Sequence, residues 1–232
     1  MHSTLQIAVV GAGRLGSALT GALPSPDRRV TGPHGRGYAG DGDDVVLLCV
    51  PDGEIAAAAA CIRPGPLVGH CSGATGLELL VGHHGFSLHP LMTVTARGAS
   101  FAGAAAAVDG TTPEALATAT ALAESLGMVA IRIAADRRPL YHAAASAASN
   151  FLVTLEVIAA RLASGAGLER DHLLPLVRAT VENWARDGAA ALTGPAARRD
   201  ELTLERQRDA VRAYAADVLP LWDALVDATR TL

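Results

Sequence analysis

The chain has 232 residues and a formal charge of −4; half of it is hydrophobic, 18% is charged, and the mean hydropathy is +0.28. That balance excludes intrinsic disorder, which needs low hydrophobicity and high net charge, and argues against a nucleic-acid partner, whose binding surface is basic. No apolar run is expected to approach the ~18–20 residues of a spanning helix, so no membrane association is expected; the apolar excess is alanine, as in Ala56–Ala60 and Ala104–Ala107. All 19 basic residues are arginine, which rules out a lysine acid, base or Schiff base. Cys49, Cys61 and Cys71 form no CxxC pair and no metal-ligand spacing, and the chain opens without a charged-then-apolar signal segment. A reduced, cytoplasmic protein without a metal site is expected.

In chain order, Leu5–Val10 has the apolar continuity of a strand buried on both faces. It leads into Gly11-Ala12-Gly13-Arg14-Leu15-Gly16 and a helix to about Leu23, ended by Pro24 and Pro26. A short strand near Arg29–Thr31 and a glycine-rich loop precede the clearest buried strand, Asp44–Val50. A helix follows from Pro51-Asp52 to about Ile62, with Asp52 as its cap. Pro66–His70, Gly85–His89, Ala105–Asp109 and Met128–Ile133 read as further strands, with helices near Thr75–Val81 and Pro113–Leu126. Strands alternating with helices predict an α/β fold with a Rossmann-type, mostly parallel sheet over residues 1–135. From 136 to 232 three long helical stretches are expected, about 137–164, 169–190 and 200–230. They form an all-α substrate and dimerisation domain.

A glycine triplet between strand and helix suits a dinucleotide. The first glycine makes the tight turn, the second admits a pyrophosphate, and the third lets helix and strand pack closely. Gly11, Ala12, Gly13, Arg14, Leu15 and Gly16 are therefore assigned to the cofactor. The second strand ends in Val30-Thr31-Gly32-Pro33-His34-Gly35-Arg36, without the acidic residue that would take a ribose 2′-hydroxyl, so Arg36 is assigned to a 2′-phosphate and the cofactor to NADP(H). Val50 and Pro51, at the end of the clearest strand, are expected to line the adenosine or the nicotinamide ribose, and His70, Cys71 and Ser72, at the next strand end, the nicotinamide. Proton transfer near neutral pH suits histidine. His89, before Pro90 at a strand end, is the first candidate acid/base and His142 the second, with Ser72 and Asn150 orienting substrate. His142, Ser146 and Asn150 are spaced four apart on one helix face, a stripe compatible with substrate binding or with a hydrated surface. Arg198 is a candidate clamp for a substrate carboxylate.

Taken in order, the segments IAVVGAGRLGSAL, DVVLLCVPDGEI, HCSGATG, SLHPLMT, YHAAASAASNFLVTL and LTGPAARRD resemble the Rossmann-like family whose C-terminal half is called domain of unknown function 2520. That family is similar, at longer range, to pyrroline-5-carboxylate reductases, ketopantoate reductases and 6-phosphogluconate-type dehydrogenases. The resemblance implies an NADP-dependent oxidoreductase acting on a small carbonyl or imine, with a helical domain that dimerises. Prephenate dehydrogenases carry a catalytic histidine before proline, as His89-Pro90 does here. Where ketopantoate and beta-hydroxyacid enzymes use a lysine followed by asparagine, this chain has Asn150 with Ser146 and His142 before it, so a histidine would replace the lysine. Only seven residues separate Arg36 from Asp44, which implies that the usual third βα unit is lost. The reading from another class is a catalytically silent NADP(H)-binding regulator.

Overall fold

A computed structural model describes residues 4–96 and 98–232. It divides into two compact units, Met1–Ser149 and Asn150–Leu232. In the first, the strands among the described residues are β1 (Leu5–Val10), β2 (Arg28–His34), β3 (Val45–Leu48), β4 (Leu67–His70), β5 (Gly85–Pro90), β6 (Ala105–Gly110) and β7 (Val129–Arg132). They form one sheet in the order β2-β1-β3-β4-β5-β6-β7. Every neighbouring pair is parallel except β5 with β6. Helices α1 (Arg14–Ala22), α2 (Ile55–Cys61) and α3 (Pro113–Ser125) provide its cover.

Alternation along the strands builds two cores, because successive side chains leave a sheet on opposite faces. Ile7, Val45, Leu47, Phe86 and Leu88 pack with Leu19 of α1 and Leu122 of α3. Ala8, Val10, Val46, Leu48 and Val68 pack with Ile55 and Ala59 of α2. Both faces are covered, which is why β3 reads as an unbroken apolar run and β1 as one broken only by Gln6. Strand β2 is the sheet edge beyond β1, and the loop after it carries the chain to β3 on the other side of β1. The missing third βα unit is thus a feature of the fold. Strand order reverses about β1, and ligand crevices open at such a switch point, outside the C-terminal strand ends.

Several expectations change in three dimensions. The stretch 75–81 forms only a single 3-10 turn, Leu77–Leu79. The helix expected from 137 to 164 is α4 (Arg138–Ser146), a π-helical turn (Ala147–Phe151) and α5 (Leu152–Gly165). The stretch 169–190 is α6 (Arg170–Asp187) and a 3-10 turn, with Glu169 and His172 forming a reciprocal capping box. After the short α7 (Pro195–Arg198), the last stretch breaks at Ala215 into α8 (Glu201–Tyr214) and α9 (Leu219–Arg230). Pro220 explains the restart, since proline suits a first helical turn and no interior. The run Ala135–Gly165, with a window of mean hydropathy 1.5, is long and apolar enough by length and composition to cross a membrane. This corrects the expectation that no segment qualifies. Tyr, His, Ser and Asn interrupt the run, so no unbroken apolar block announces it.

In the second unit, Val211, Ala215 and Val218 form a small buried cluster, backed by Ile158, Leu162, Leu219 and Trp222. Two bidentate ion pairs brace it, Arg161 with Asp217 at 2.7 and 2.8 Å and Arg208 with Asp223 at 2.8 Å twice. Phe151, Val153, Val157, Leu176 and Trp184 are each at least 60% exposed in the chain.

Candidate active site

The glycine turn has the geometry of a tight turn, an open side and a close helix contact, in that order. Gly11 has φ +109°, and a Cβ there would stand 2.4 Å from the Cys49 carbonyl oxygen. A Cβ on Gly13 would meet nothing within 4 Å, so its free side opens on the crevice. A Cβ on Gly16 would fall 1.9 Å from the Gly11 carbonyl oxygen, which leaves glycine alone at the α1–β1 contact. No side chain caps the N-terminus of α1 and no acid lies in its first turn, so its leading N–H groups are available to an anion.

Two cavities adjoin this turn and share Gly13, Cys49, Val50 and Pro51. The first, about 660 Å³, runs between the β2 end and α2 and includes His34, Arg36, Tyr38 and Glu54. The His34 and Tyr38 rings stack at 3.9 Å and 14°, a flat platform of the kind a purine can use. The Tyr38 hydroxyl donates to Asp43 at 2.7 Å. Burial, then the Asp43 carboxylate, pushes the phenol up to about 12, so it stays a neutral donor. Arg36 reaches the cavity with its side chain 86% exposed and pairs with Glu54 at 2.7 Å. Its remaining guanidinium donors are free for a second acceptor. The cavity is apolar near Val10, Val50 and Ala58, which suits a nucleoside more than a fully hydrated ion.

The second cavity, about 480 Å³, is lined by Arg14, Leu15, Asp52, Cys71, Ser72 and His89, among others. Asp52 is no helix cap. Its carboxylate accepts from the Ser72 hydroxyl at 2.8 Å and the Thr75 hydroxyl at 3.3 Å. Ser72 Oγ also accepts from the Ala74 and Thr75 N–H groups at 3.3 and 3.0 Å. One donor and two acceptor sites are all a hydroxyl has, so Ser72 builds the loop and is not free to orient substrate as expected. His70 needs a larger correction. It is fully buried, with Nε2–H donating to the Gly76 carbonyl at 3.0 Å and Nδ1 accepting from the Ser72 N–H at 3.2 Å. Burial holds its pKa down, and it is a loop anchor out of a cofactor's reach. Cys71 faces Cys49, Sγ to Sγ 3.7 Å, and this contact together with burial pushes the Cys71 thiol well up.

His89 is the titratable imidazole at the cavity wall. Its Nδ1 lies 2.7 Å from the Tyr141 hydroxyl, and its ring is edge-on to Tyr141 and, at 6.3 Å, to His142. Burial, then His142 and Arg138, lowers its pKa to about 4, so it is neutral at pH 7. A Cβ on Gly73 would come within 2.8–3.0 Å of both histidine rings, so that glycine is what lets them approach the loop. Two participants carry no sequence signal as site residues. Tyr141 looks like any helix tyrosine until His89 is placed beside it. Arg138 follows the exposed Arg137 yet is 1% exposed itself, with Nη1 donating to the Ser72 and Thr75 carbonyls at 3.4 and 3.2 Å and Nη2 donating to Ser87 Oγ. Among the described residues, Arg138 Nε has no hydrogen-bond partner.

The polar stripe is divided. Exposed His142 lies beside His89 and half-buried Ser146 ends α4. The π turn then interrupts the four-residue spacing, because its i→i+5 bonding rotates the following face, so Asn150 does not continue the stripe as expected. Asn150 and the exposed Arg198 lie in the second unit.

Comparison with known proteins fits this arrangement. The chain is similar in structure to a Bacteroides fragilis protein provisionally named an NADP oxidoreductase, with 19% identity over 98% of each chain and a TM-score of 0.81. It is also similar to a Thermotoga maritima protein (23% identity, 97% of each chain, TM-score 0.78). A reductive aminase from Aspergillus terreus, solved in complex with NADPH and ethyl-5-oxohexanoate, is similar at 17% identity over 97% of this chain and 93% of its own, with a TM-score of 0.70. These likenesses establish the fold. A search of curated proteins finds no match. The model of the domain of unknown function DUF2520 matches residues 104–229, more than half of the sequence, and the chain belongs to that family.

Proposed function

We propose that the protein is an NADP(H)-dependent oxidoreductase that reduces a small carbonyl or imine substrate, with His89 at the reacting centre. The observation that carries this reading is the open cradle at Gly13, set at an uncapped helix N-terminus between a nucleoside-sized cavity and a second cavity walled by a neutral histidine. The donor set fits the cofactor: the turn and α1 would hold the diphosphate, His34 and Tyr38 the adenine, and Arg36 the 2′-phosphate, with Val50 and Pro51 between the two cavities. When bound, the cofactor supplies a hydride to an electrophilic carbon. His89 handles the accompanying proton, and the Asp52–Ser72–Thr75 network holds the loop that carries Gly73 against it. The buried positive charge of Arg138 favours a carboxylate-bearing substrate. The NADPH complex of the structurally similar aminase supports the same class.

Titration of the cofactor-stripped protein, followed by nicotinamide fluorescence, tests the reading. NADPH is expected to bind more tightly than NADH. Arg36→Ala is expected to weaken NADPH roughly 10- to 100-fold and NADH little, the size of a lost charge-assisted hydrogen bond. Binding of neither nucleotide would refute the assignment.

The second unit supports a homodimer. Its buried cluster is small, while Phe151, Val157 and Trp184 stay exposed, an apolar surface more typical of an interface than of a monomer. Light scattering at micromolar concentration is expected to give twice 23.6 kDa. Trp184→Glu is expected to shift the mass toward that of a single chain, and a monomeric wild type would contradict the proposal.

A further inference from the structure

We propose that the Tyr141 hydroxyl is the proton source of the second cavity, acting through His89, with the buried Arg138 guanidinium as counter-charge for the tyrosinate left behind. The inference rests on the reductase reading above and concerns how the proton is delivered.

Geometry supplies the path. The 2.7 Å contact joins Tyr141 to His89 Nδ1, and His89 Nε2 has no hydrogen-bond partner among the described residues. The imidazole edge carrying Cε1 and Nε2 is the one that faces Gly73, and His89 lines the cavity. With Tyr141 donating to Nδ1, the ring proton sits on Nε2, the nitrogen free to meet a substrate. As substrate oxygen or nitrogen gains a bond to that proton, the Nε2–H bond breaks. Nδ1 takes the Tyr141 proton, and the Tyr141 O–H bond breaks. The hydride that completes the reduction comes from NADPH. His89 is neutral before and after, and the negative charge ends on Tyr141, which is half-buried and regains a proton from solvent.

Electrostatics explain why a relay is needed. The charged and titratable groups facing His89 are His142, Arg138, Asp52 and His70 as well as Tyr141, and burial with the neighbouring cations disfavours an imidazolium there. A lone His89 would be a scarce acid at pH 7. Arg138 lies three residues before Tyr141 on α4, so the two share a helix face. Its hydrogen bonds go to two carbonyls and a hydroxyl, leaving its charge without a bonded carboxylate. The charges around it are Asp109, Tyr141 and Glu78. Arg138 pulls the Tyr141 pKa down against the larger upward push of burial, the direction that stabilises a tyrosinate. Ser72, Thr75 and Ser87 fix Arg138 in place, so it is a positioning residue.

Two measurements decide the matter. Histidine ¹⁵N NMR of the cofactor-free protein is expected to find His89 protonated on Nε2 with Nδ1 as acceptor, and the Nδ1 signal is expected to move in Tyr141→Phe. A proton on Nδ1 would overturn the relay whatever the substrate. In turnover with NADPH on a panel of keto acids and cyclic imines, Tyr141→Phe is expected to lose ~10²–10⁴ in kcat with unchanged NADPH affinity. Its remaining activity is expected to rise toward acid pH, because His89 must then act as an imidazolium, whereas the wild type is flat across neutral pH. A purely structural tyrosine would leave the profile's shape alone. Wild-type turnover with an undiminished Tyr141→Phe variant overturns the relay only; a wild type that turns over nothing overturns the reductase reading, and the relay with it.

Discussion

Gly16→Ala is expected to cost several kcal/mol of stability and to abolish tight NADPH binding. The added methyl would sit 1.9 Å from the Gly11 carbonyl oxygen and 3.2 Å from Cys49 Cβ. Gly11 cannot retreat, since its own Cα side is closed by the Cys49 carbonyl, and Cys49 N–H donates to Val10 at 2.7 Å. Overpacking in a rigid core costs about 1–3 kcal/mol, occasionally more, and here the atom struck is backbone. Gly13→Ala is the control. Its methyl meets no protein atom, so thermal stability is expected to stay within about 1 kcal/mol of the wild type. NADPH affinity is expected to fall at least tenfold, because the methyl occupies the approach of the diphosphate. Thermal melts and NADPH titrations of the two variants separate the roles. If Gly13→Ala binds NADPH normally, the cradle is structural only.

How much of this is legible in the sequence depends on the range of the interaction. β1, the glycine turn and β3 are visible because each is local: an apolar run, a tight turn, a second run. The short gap after Arg36 announces the missing βα unit because chain length alone forbids one. His89 stands out because it precedes a proline at a strand end. What escapes is set by contacts between distant segments. Asp52 looks like a cap beside a helix start until Ser72 and Thr75, twenty residues on, claim its carboxylate. His70 sits at a strand end as His89 does, and only the Gly76 carbonyl and the Ser72 amide, brought back by the following loop, seal it off. Arg137 and Arg138 are adjacent and chemically identical, yet Arg137, which ends the 3-10 turn before α4, is exposed while Arg138, the first residue of α4, is buried against the loop. Composition has no means to tell them apart.

Acid is expected to destabilise the protein well above the range in which its carboxylates titrate. Histidine ordinarily titrates near 6.5, and folded His89 near 4. Between those values the unfolded chain binds a proton that the folded one refuses, so stability falls as pH falls from 6.5 to 4 and is unaffected above 6.5. The gap corresponds to about 3 kcal/mol for His89. His70, also lowered by burial, acts in the same direction. The carboxylates held below their usual range, Asp200, Asp217 and Asp223, release their partners at lower pH and form a separate limb. Urea denaturation at pH 7.5 and 4.5 checks the sign and the source together. His89→Gln keeps a hydrogen-bonding side chain beside Tyr141 but has nothing to protonate. The wild type is therefore expected to lose about 2.5 kcal/mol more than the variant over that interval. Equal losses would mean that His89 titrates alike in the folded and unfolded chain, and the scarcity of its imidazolium, which is what calls for a relay, would be gone.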